Sequence, residues 1–312
     1  MMMNSSPSSK SLIVIVGPTA SGKTALAIKI ARELKTEIVS ADSRQFYREM
    51  SIGTAKPTGE ELAQVKHHFI NSHSINENFS VGDYEKQCLE LLAELFKKYD
   101  NVVLVGGSGL YIKAICEGFD ELPKALPGVR EKLNQLLTEN GIAFLQEQLK
   151  LADPAYYAQV DLNNPQRLIR ALEVFESTGK QFSAFRKAEP NARPFSTKKI
   201  GIDLPRQMLY DRINLRIDQM LQDGLLEEVI ALIPYRHLNA LNTVGYSELF
   251  DYFDGNTDLE TSISLIKQNT RRFAKRQMTW FRKDKDVVWY NNNDLNLTSI
   301  LQSGLYPGFK KQ

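Results

Sequence analysis

The chain has few of the residues that cross-link small secreted proteins, since only two of its 312 residues are cysteines. Cys88 and Cys116 are far apart and neither belongs to a CxxC pair, so the sequence predicts neither a disulfide framework nor a zinc site. The chain also lacks a long apolar run, because the stretch from Leu12 to Val16 is too short for a signal peptide or a membrane span. We therefore expect a cytoplasmic protein without a membrane segment.

The chain also has little net charge, with 39 lysines and arginines against 37 aspartates and glutamates. A net charge of +2 does not by itself indicate a nucleic-acid partner, because phosphate binding depends on the local distribution of charge. The content of 42% hydrophobic and 24% charged residues is ordinary for a folded protein and excludes global disorder. At this length, one α/β domain with an insertion would fit, and we expect two lobes.

Strand and helix patterns alternate in the first third of the chain. Three short apolar runs are predicted strands: 12–16, 37–40 and 101–105. Two stretches between them have the apolar spacing of helices: 23–35 and 80–99. The second of these begins with a capping box formed by Ser80 and Asp83. Continuous apolar strands that alternate with helices predict a parallel sheet covered on both faces.

Residues 117–198 differ from the rest of the chain, because their helical patterns are separated by prolines and we find no strand-like run among them. The clearest helix there begins at Asn164-Pro165 and ends at Gly179. After this segment, the predicted elements are a strand at 199–204, helices within 205–224 and 259–285, and a last strand at 287–290. We therefore predict a catalytic core made of 1–116 and 199–312, with 117–198 as an all-helical insertion.

The most specific motif is a P-loop between the first strand and the first helix. It fits the pattern G-x-x-x-x-G-K-[ST] and consists of Gly17, Pro18, Thr19, Ala20, Ser21, Gly22, Lys23 and Thr24. Such a loop binds a diphosphate or triphosphate through backbone N–H groups, a helix N-terminus and the lysine, while the Thr24 hydroxyl can ligate Mg²⁺. We therefore predict a P-loop NTPase-like α/β fold that binds phosphate and uses Mg²⁺ as cofactor.

Two polar segments should face the same crevice as the P-loop, because ligands bind at the carboxyl ends of parallel strands. Asp42 follows the second strand, where it could be a catalytic base, a Mg²⁺ ligand or simply a turn or helix cap. Ser108 follows the third strand within Gly106-Gly-Ser-Gly-Leu-Tyr111, where it could donate a hydroxyl. Taken alone, that glycine-rich segment is more typical of a tight turn.

Basic residues near the C-terminus leave two interpretations open. Arg212 and Arg216 are i,i+4 neighbours on one helix face, which either binds phosphate or is solvated, and we prefer Arg216 as the phosphate ligand. The stretch 267–285 interleaves basic and aromatic residues, which is usual for a half-buried helix and also suits RNA contacts by Arg272 and Arg276.

Six segments together resemble the bacterial tRNA dimethylallyltransferase family, also called tRNA isopentenyltransferases. In order, they are 17–24, Ser40-Ala-Asp-Ser-Arg-Gln-Phe-Tyr47, Ile52-Gly-Thr-Ala-Lys-Pro57, Val105-Gly-Gly-Ser-Gly-Leu-Tyr111, Asn164-Pro-Gln-Arg-Leu-Ile-Arg-Ala-Leu-Glu-Val174 and Arg271–Arg282. The resemblance covers about residues 12 to 290.

The resemblance implies that dimethylallyl diphosphate lies on the P-loop with Mg²⁺ and that an adenine is flipped from the tRNA anticodon loop into a channel. It also implies transfer of the prenyl group to the exocyclic amino group of the adenosine 3′-adjacent to the anticodon, in tRNAs that read codons starting with U.

The resemblance also assigns roles to individual residues. Asp42 matches the general base, and we expect Ser108 and Arg216 to take part in catalysis beside it. The residues that match tRNA-contacting positions are Asp42, Ser43, Arg44, Gln45, Ser108, Arg130, Gln166, Arg167, Leu168, Ile169, Arg170, Asn242, Thr243, Val244, Gly245, Tyr246 and Ser247. Many family members have threonine at the position of Ser108, so the hydroxyl is kept and only its placement is altered.

Three other functions are compatible with parts of the sequence. A P-loop alone also fits a small-molecule kinase or a non-catalytic RNA-binding switch, but neither accounts for Asp42 together with residues 164–174. An adenylate prenyltransferase of the cytokinin-forming type is the nearest alternative, and the helical insertion with Gln166 and Arg167 favours tRNA as the substrate instead.

Metal binding by His67 and His68 is disfavoured, because no cysteine, histidine or carboxylate at a suitable spacing completes a set of metal ligands with them. We expect a monomer without a membrane partner.

Overall fold

The computed structural model describes residues 10–119, 122–186 and 191–291, which form two compact units. Of these residues, 10–117 and 192–291 belong to the sheet unit, and those between 118 and 191 belong to the helical unit. The helical unit is thus an insertion into the sheet unit. The predicted insertion, 117–198, extends too far at its C-terminal end. Residues 196–198 have no apolar signal, and they form a strand because they pair in parallel with residues 11–13.

Within the described residues, the sheet has six strands in the order β3-β2-β4-β1-β5-β6, and all pairings between these strands are parallel. The strands are β1 (Ser11–Val16), β2 (Ile38–Ser40), β3 (His67–His68), β4 (Asn101–Val105), β5 (Ser196–Asp203) and β6 (Val287–Asn291). This confirms the predicted parallel sheet. The two-residue strand β3 was not predicted, because two histidines carry no strand pattern and form a strand only by pairing with β2.

Helices flank this sheet and extend beyond it. Those of the sheet unit are α1 (Lys23–Glu33), α2 (Gly59–Gln64), α3 (Val81–Lys98), α4 (Gly109–Glu117), α8 (Arg206–Gln222), α9 (Leu225–Leu232), α10 (Tyr246–Phe253) and α11 (Leu259–Phe281). The predicted capping box at the start of α3 is confirmed, since Ser80 accepts from the Asp83 N–H and Asp83 accepts from the Ser80 N–H. Among the described residues, we find no helix that combines the length and the apolarity needed to cross a membrane.

Strand β1 explains why the sheet is buried on both faces. All six of its residues are buried, and successive side chains point to opposite sides. Leu12, Val14 and Val16 pack into an apolar cluster with α3 and α4, while Ile13 and Ile15 pack into a second cluster with α1. The sheet therefore holds the loops after its strands on a rigid, close-packed support.

The helical unit has its own core between α5 (Val129–Ala152) and α7 (Pro165–Thr178), with the short α6 (Pro154–Tyr157) between them. The predicted limits of α7 are confirmed. The Asn164 side chain accepts from the Arg167 N–H at the start, and Gly179 adopts a left-handed conformation with φ 69° at the end.

Candidate functional site

The P-loop follows β1 and leads into α1, so it lies at the carboxyl end of the sheet. Its turn is tight, with Ala20 (φ 63°) and Gly22 (φ 92°) in the left-handed region. The Lys23 ammonium folds back and donates to the Pro18 carbonyl at 2.6 Å. The helix N-terminus, the loop backbone and this lysine together form a concave site for an anion.

Three charged side chains meet at the P-loop. Burial and the neighbouring Arg216 lower the pKa of Lys23 to about 7, and the nearby Asp42 carboxylate acts in the opposite direction. Burial also lowers the pKa of Arg216, whose guanidinium lies 3.4 Å from the Thr19 hydroxyl. Two basic side chains are thus held next to each other, where burial removes part of their hydration. An anionic ligand would stabilise this arrangement.

Asp42 and Ser108 also lie at this edge of the sheet. One Asp42 carboxylate oxygen accepts from the Arg44 N–H at 3.0 Å, so the side chain shapes the turn that follows β2. The Ser108 hydroxyl accepts from the Ser43 N–H at 3.0 Å and donates to the Ser43 hydroxyl at 3.1 Å. The structure therefore brings the two segments together beside the P-loop, and the turn-forming role of Asp42 is compatible with a chemical role.

Close packing explains why glycines lie on both sides of Ser108. A Cβ added at Gly106 would lie 2.2 Å from the Ala41 carbonyl oxygen, and one added at Gly109 would lie 2.2 Å from the Trp280 ring. Both distances are far below van der Waals contact. Glycine therefore lets this turn pack directly against the chain after β2 and against α11.

Gln277 is a site residue that the sequence did not reveal. Its side chain is buried, accepts from the Thr19 N–H at 2.8 Å and donates to the Gly107 carbonyl at 2.9 Å. It therefore joins the P-loop to the turn that carries Ser108. The available signal was periodicity, because Gln277 lies three residues after Ala274 and four before Phe281, both of which are buried.

The segment Asn242–Ser247 is tied to the chain after β2. The Arg44 guanidinium donates to the carbonyls of Asn239 and Asn242, at 3.1 and 3.2 Å. Asn242 is exposed, whereas Tyr246 is fully buried. The Tyr246 ring fills the core beneath the segment, so this side chain supports the segment by packing, and contact between the segment and tRNA stays a prediction.

Two predicted tRNA-contacting arginines of the helical unit share one buried carboxylate. Arg130 donates to both oxygens of Glu173, at 2.5 and 2.9 Å, and Arg170 donates to one of them at 3.3 Å. Burial raises the pKa of Glu173, but these two arginines outweigh that effect and the net pKa is lowered. Glu173 therefore stays ionised and orients two guanidinium groups that remain partly exposed.

The other predicted contacts of α7 divide between its two faces. Gln166 and Arg167 are exposed and can reach a ligand. Leu168 and Ile169 are completely buried in the core of the helical unit. These two side chains pack the core because a run of consecutive helical residues includes both the solvent face and the core face, and contact between residues 166–170 and tRNA stays a prediction.

Helix α11 has an exposed face and a buried face. Arg272 and Arg276 are exposed, as is the neighbouring Phe273, and the Arg276 guanidinium lies 5.8 Å from the centre of the Phe273 ring. Gln277 and Phe281, further around the helix, are buried. The helix is thus half buried and half exposed, and RNA contact by its exposed arginines stays a prediction.

His67 and His68 have local partners. The Nδ1 atom of His67 lies 2.7 Å from the Val65 carbonyl oxygen, and the Nε2 atom of His68 lies 2.5 Å from a Glu37 carboxylate oxygen. Within the described ranges, no group of three histidine, cysteine or acidic side chains could hold a metal ion.

A cavity of about 250 Å³ opens beside Pro18 of the P-loop. Leu204, Leu209 and Met278 supply apolar walls, while Asp203, Arg206, Lys275 and Arg282 supply charges of both signs. Its lining includes Pro18 but not Lys23, Asp42 or Arg216, so it adjoins the anion site without containing it.

Comparisons with known proteins give one family. The model of the IPP transferase family matches residues 45–284. A tRNA dimethylallyltransferase of Christiangramia forsetii is 56% identical over 94% of this chain and 97% of its own length, and one of Flavobacterium johnsoniae is 52% identical over 90% and 93%. The structure of the tRNA isopentenylpyrophosphate transferase from Bacillus halodurans matches with a TM-score of 0.69 at 38% identity, over 94% of both chains. A eukaryotic dimethylallyltransferase acting on tRNA shares the fold, with a TM-score of 0.77 at 24% identity, over 94% of this chain and 77% of that one.

Proposed function

The chain belongs to the IPP transferase family, and from this premise we propose that it is a tRNA dimethylallyltransferase. It transfers a dimethylallyl group from dimethylallyl diphosphate to the exocyclic amino group of the adenosine 3′-adjacent to the anticodon, in tRNAs that read codons starting with U, and it releases pyrophosphate. One observation carries the assignment of the site: the P-loop lysine, Arg216 and the Asp42 carboxylate meet at one edge of the sheet. A site for a diphosphate thus adjoins a group that can accept a proton.

On the acceptor side, Asp42 is the general base. The adenine amino group is a weak nucleophile, so its attack on C1 of the prenyl donor needs a group that takes the proton as the new N–C bond forms. The turn after β2 fixes the Asp42 carboxylate through the Arg44 N–H, and Ser108 holds the adjacent Ser43 N–H. The base therefore sits on a short, hydrogen-bonded turn at the end of a rigid strand.

On the donor side, cations stabilise the leaving group. As the C1–O bond of the donor breaks, negative charge moves onto the departing pyrophosphate. Lys23, Arg216 and the N–H groups of the P-loop supply positive charge and hydrogen-bond donors there. Arg216, rather than Arg212, is the favoured arginine, because its guanidinium lies against Thr19 in the P-loop.

The P-loop is also compatible with Mg²⁺. Thr24 lies in the first turn of α1 and contributes one hydroxyl. Mg²⁺ is commonly held by one or two protein oxygens, substrate phosphates and water. The residues therefore fit an ion that arrives with the diphosphate, held by Thr24. Bound in this way, Mg²⁺ would neutralise charge on the pyrophosphate.

Both units are proposed to bind tRNA. Arg44, Asn242, Arg272 and Arg276 supply exposed or partly exposed polar groups on the sheet unit, and Arg130 does so on the helical unit. Arginines suit the phosphates of a single-stranded loop, while a flipped base is recognised through its edges and by stacking. We further propose that the enzyme is a monomer, and an anticodon-loop substrate supports action in the cytoplasm.

The direct test uses labelled dimethylallyl diphosphate, an unmodified anticodon stem-loop and Mg²⁺ without ATP. Label should enter the RNA, pyrophosphate should be released in equal amount, and a stem-loop with guanosine in place of the target adenosine should stay unlabelled. A requirement for ATP with formation of ADP would favour a kinase instead. Faster labelling of free adenylate than of the stem-loop would favour the adenylate prenyltransferase.

A further inference from the structure

Glu228, on α9, receives four hydrogen bonds from residues that are far away in the sequence. One of its carboxylate oxygens accepts from the N–H groups of Ser51 and Ile52, both at 2.8 Å. The other accepts from the Gly53 N–H at 2.9 Å and from the Tyr246 hydroxyl at 2.6 Å. A carboxylate offers about four lone-pair sites in all, so these donors use its full capacity.

On one side, this carboxylate supports the segment that carries Asp42. The turn held by Glu228 continues into Thr54 and Ala55, whose carbonyl oxygens accept from the Gln45 amide at 3.2 and 3.0 Å. The next residue, Lys56, donates to the Tyr47 carbonyl at 2.5 Å. The turn at 51–56 is therefore bound on both sides, to Glu228 and to the chain just after Asp42.

On the other side, the carboxylate supports the segment Asn242–Ser247. Tyr246 is fully buried and burial raises its pKa, so its hydroxyl remains a neutral donor to Glu228. Its ring packs so closely on Gly53 that an added Cβ there would lie 2.6 Å from a ring atom. Arg44 then connects this segment back to the chain after β2 through the Asn242 carbonyl. The contacts thus form a closed network, called here the Glu228 network, which consists of residues 42–47, 51–56, 228 and 242–246.

We propose that Glu228 is a positioning residue for prenyl transfer. It holds the Asp42 turn and the segment Asn242–Ser247 in one fixed relation, so that the base and a tRNA-contacting segment meet the flipped adenine together. The inference rests on the proposed function. Its physical reason is that a displacement of about 1 Å in a reacting group can cost about 10²-fold in rate, even when the altered residue touches no substrate.

Glu228→Gln is the informative change. An amide has one acceptor oxygen and one NH₂ donor, so the NH₂ group would face donors that now meet a carboxylate oxygen. The side chain keeps its size while about two of its four hydrogen bonds are lost. Glu227→Gln is the matched control, because Glu227 is the exposed neighbour on the same helix and loses the same charge. Tyr246→Phe removes a single bond of the network and serves if Glu228→Gln does not fold.

The first measurement is the single-turnover rate of prenyl transfer at saturating stem-loop and donor. We expect Glu228→Gln to lower this rate by about 10- to 100-fold, Tyr246→Phe to lower it less, and Glu227→Gln to leave it unchanged. Pyrophosphate affinity should stay at the wild-type value in all three variants, because the P-loop lies outside the network. A wild-type rate in both Glu228→Gln and Tyr246→Phe would overturn the proposal.

The second measurement separates positioning from general support of the fold. In an Asp42→Asn background the base is absent, so Glu228→Gln should cause little further loss of rate at saturating substrates. Losses that multiply in the double variant would mean that Glu228 acts independently of Asp42, and would refute the inference while leaving the proposed function intact. Failure of the wild-type protein to label any stem-loop would instead remove the proposed function, and this inference with it.

Discussion

Lys23 should couple diphosphate binding to the uptake of a proton. In the free protein, burial and Arg216 lower its pKa to about 7, so the side chain is half neutral near that pH. A bound diphosphate adds negative charge next to the ammonium and favours its protonated form. Above pH 7, binding therefore requires protonation of Lys23, and affinity should fall as the pH rises.

The size of this effect follows from the two protonation states. If only protonated Lys23 binds productively, the dissociation constant of pyrophosphate scales with 1 + 10^(pH − 7), a loss of affinity of about 90-fold between pH 6 and pH 9. Calorimetry in buffers of different ionisation enthalpy should show an uptake of about 0.9 proton at pH 8. Lys23→Arg is the control, because arginine stays charged throughout this range and reports the ligand's own ionisation.

The lowered pKa of Lys23 also predicts how the stability of the free protein depends on pH. Stability should rise with pH, whereas pyrophosphate affinity should fall. In the unfolded chain its pKa is near 10.5, so the unfolded state binds more protons than the folded state between about pH 7 and 10.5. The contribution of Lys23 to stability of the free protein therefore improves as the pH rises through this window. Equal pH slopes of pyrophosphate affinity in the wild type and in Lys23→Arg, together with no proton uptake, would refute a lowered pKa at Lys23.

Three further changes have defined outcomes. Replacing Arg272 and Arg276 by alanine should weaken tRNA binding and flatten its dependence on salt by about one unit per lost phosphate contact, measured by filter binding, with pyrophosphate affinity unchanged. Arg216→Ala should lower the single-turnover rate by about 10²- to 10³-fold through loss of leaving-group stabilisation, and rates within a factor of two would exclude that role. Gly109→Ala places a methyl group against Trp280 and should destabilise the protein by about 1–3 kcal/mol in urea unfolding, whereas an unchanged midpoint would mean that the ring moves aside freely.

Local patterns were enough to predict the elements that frame the site. Strand β4 has the predicted bounds, and the capping residues at Ser80 and Asn164 start the helices that were expected from them. These features depend on a few neighbouring residues, namely an apolar run or a side chain that caps a helix. By contrast, the start of β5 at Ser196 depends on pairing with β1, so no local pattern marks it.

The side chains that organise the site could not be predicted in the same way. Gln277 joins the P-loop to the turn at Gly107 over more than 150 residues, and Glu228 reaches the turn at 51–53 over a similar separation. In the sequence, both look like ordinary polar residues of amphipathic helices. Tyr246 shows the converse, because a residue within a segment predicted to contact tRNA is part of the core. Motifs therefore located the segments of the site, and packing determined the role of each side chain.

The most direct test of the account is the rate of prenyl transfer in Asp42→Asn, measured in a single turnover at saturating stem-loop and dimethylallyl diphosphate. Asparagine is nearly the same size as aspartate and can still accept from the Arg44 N–H, but it cannot take up the amino proton. We predict a loss of about 10²- to 10⁴-fold, with the melting temperature retained and pyrophosphate still bound. A rate close to that of the wild type would contradict the assignment of Asp42 as the base and the mechanism built on it.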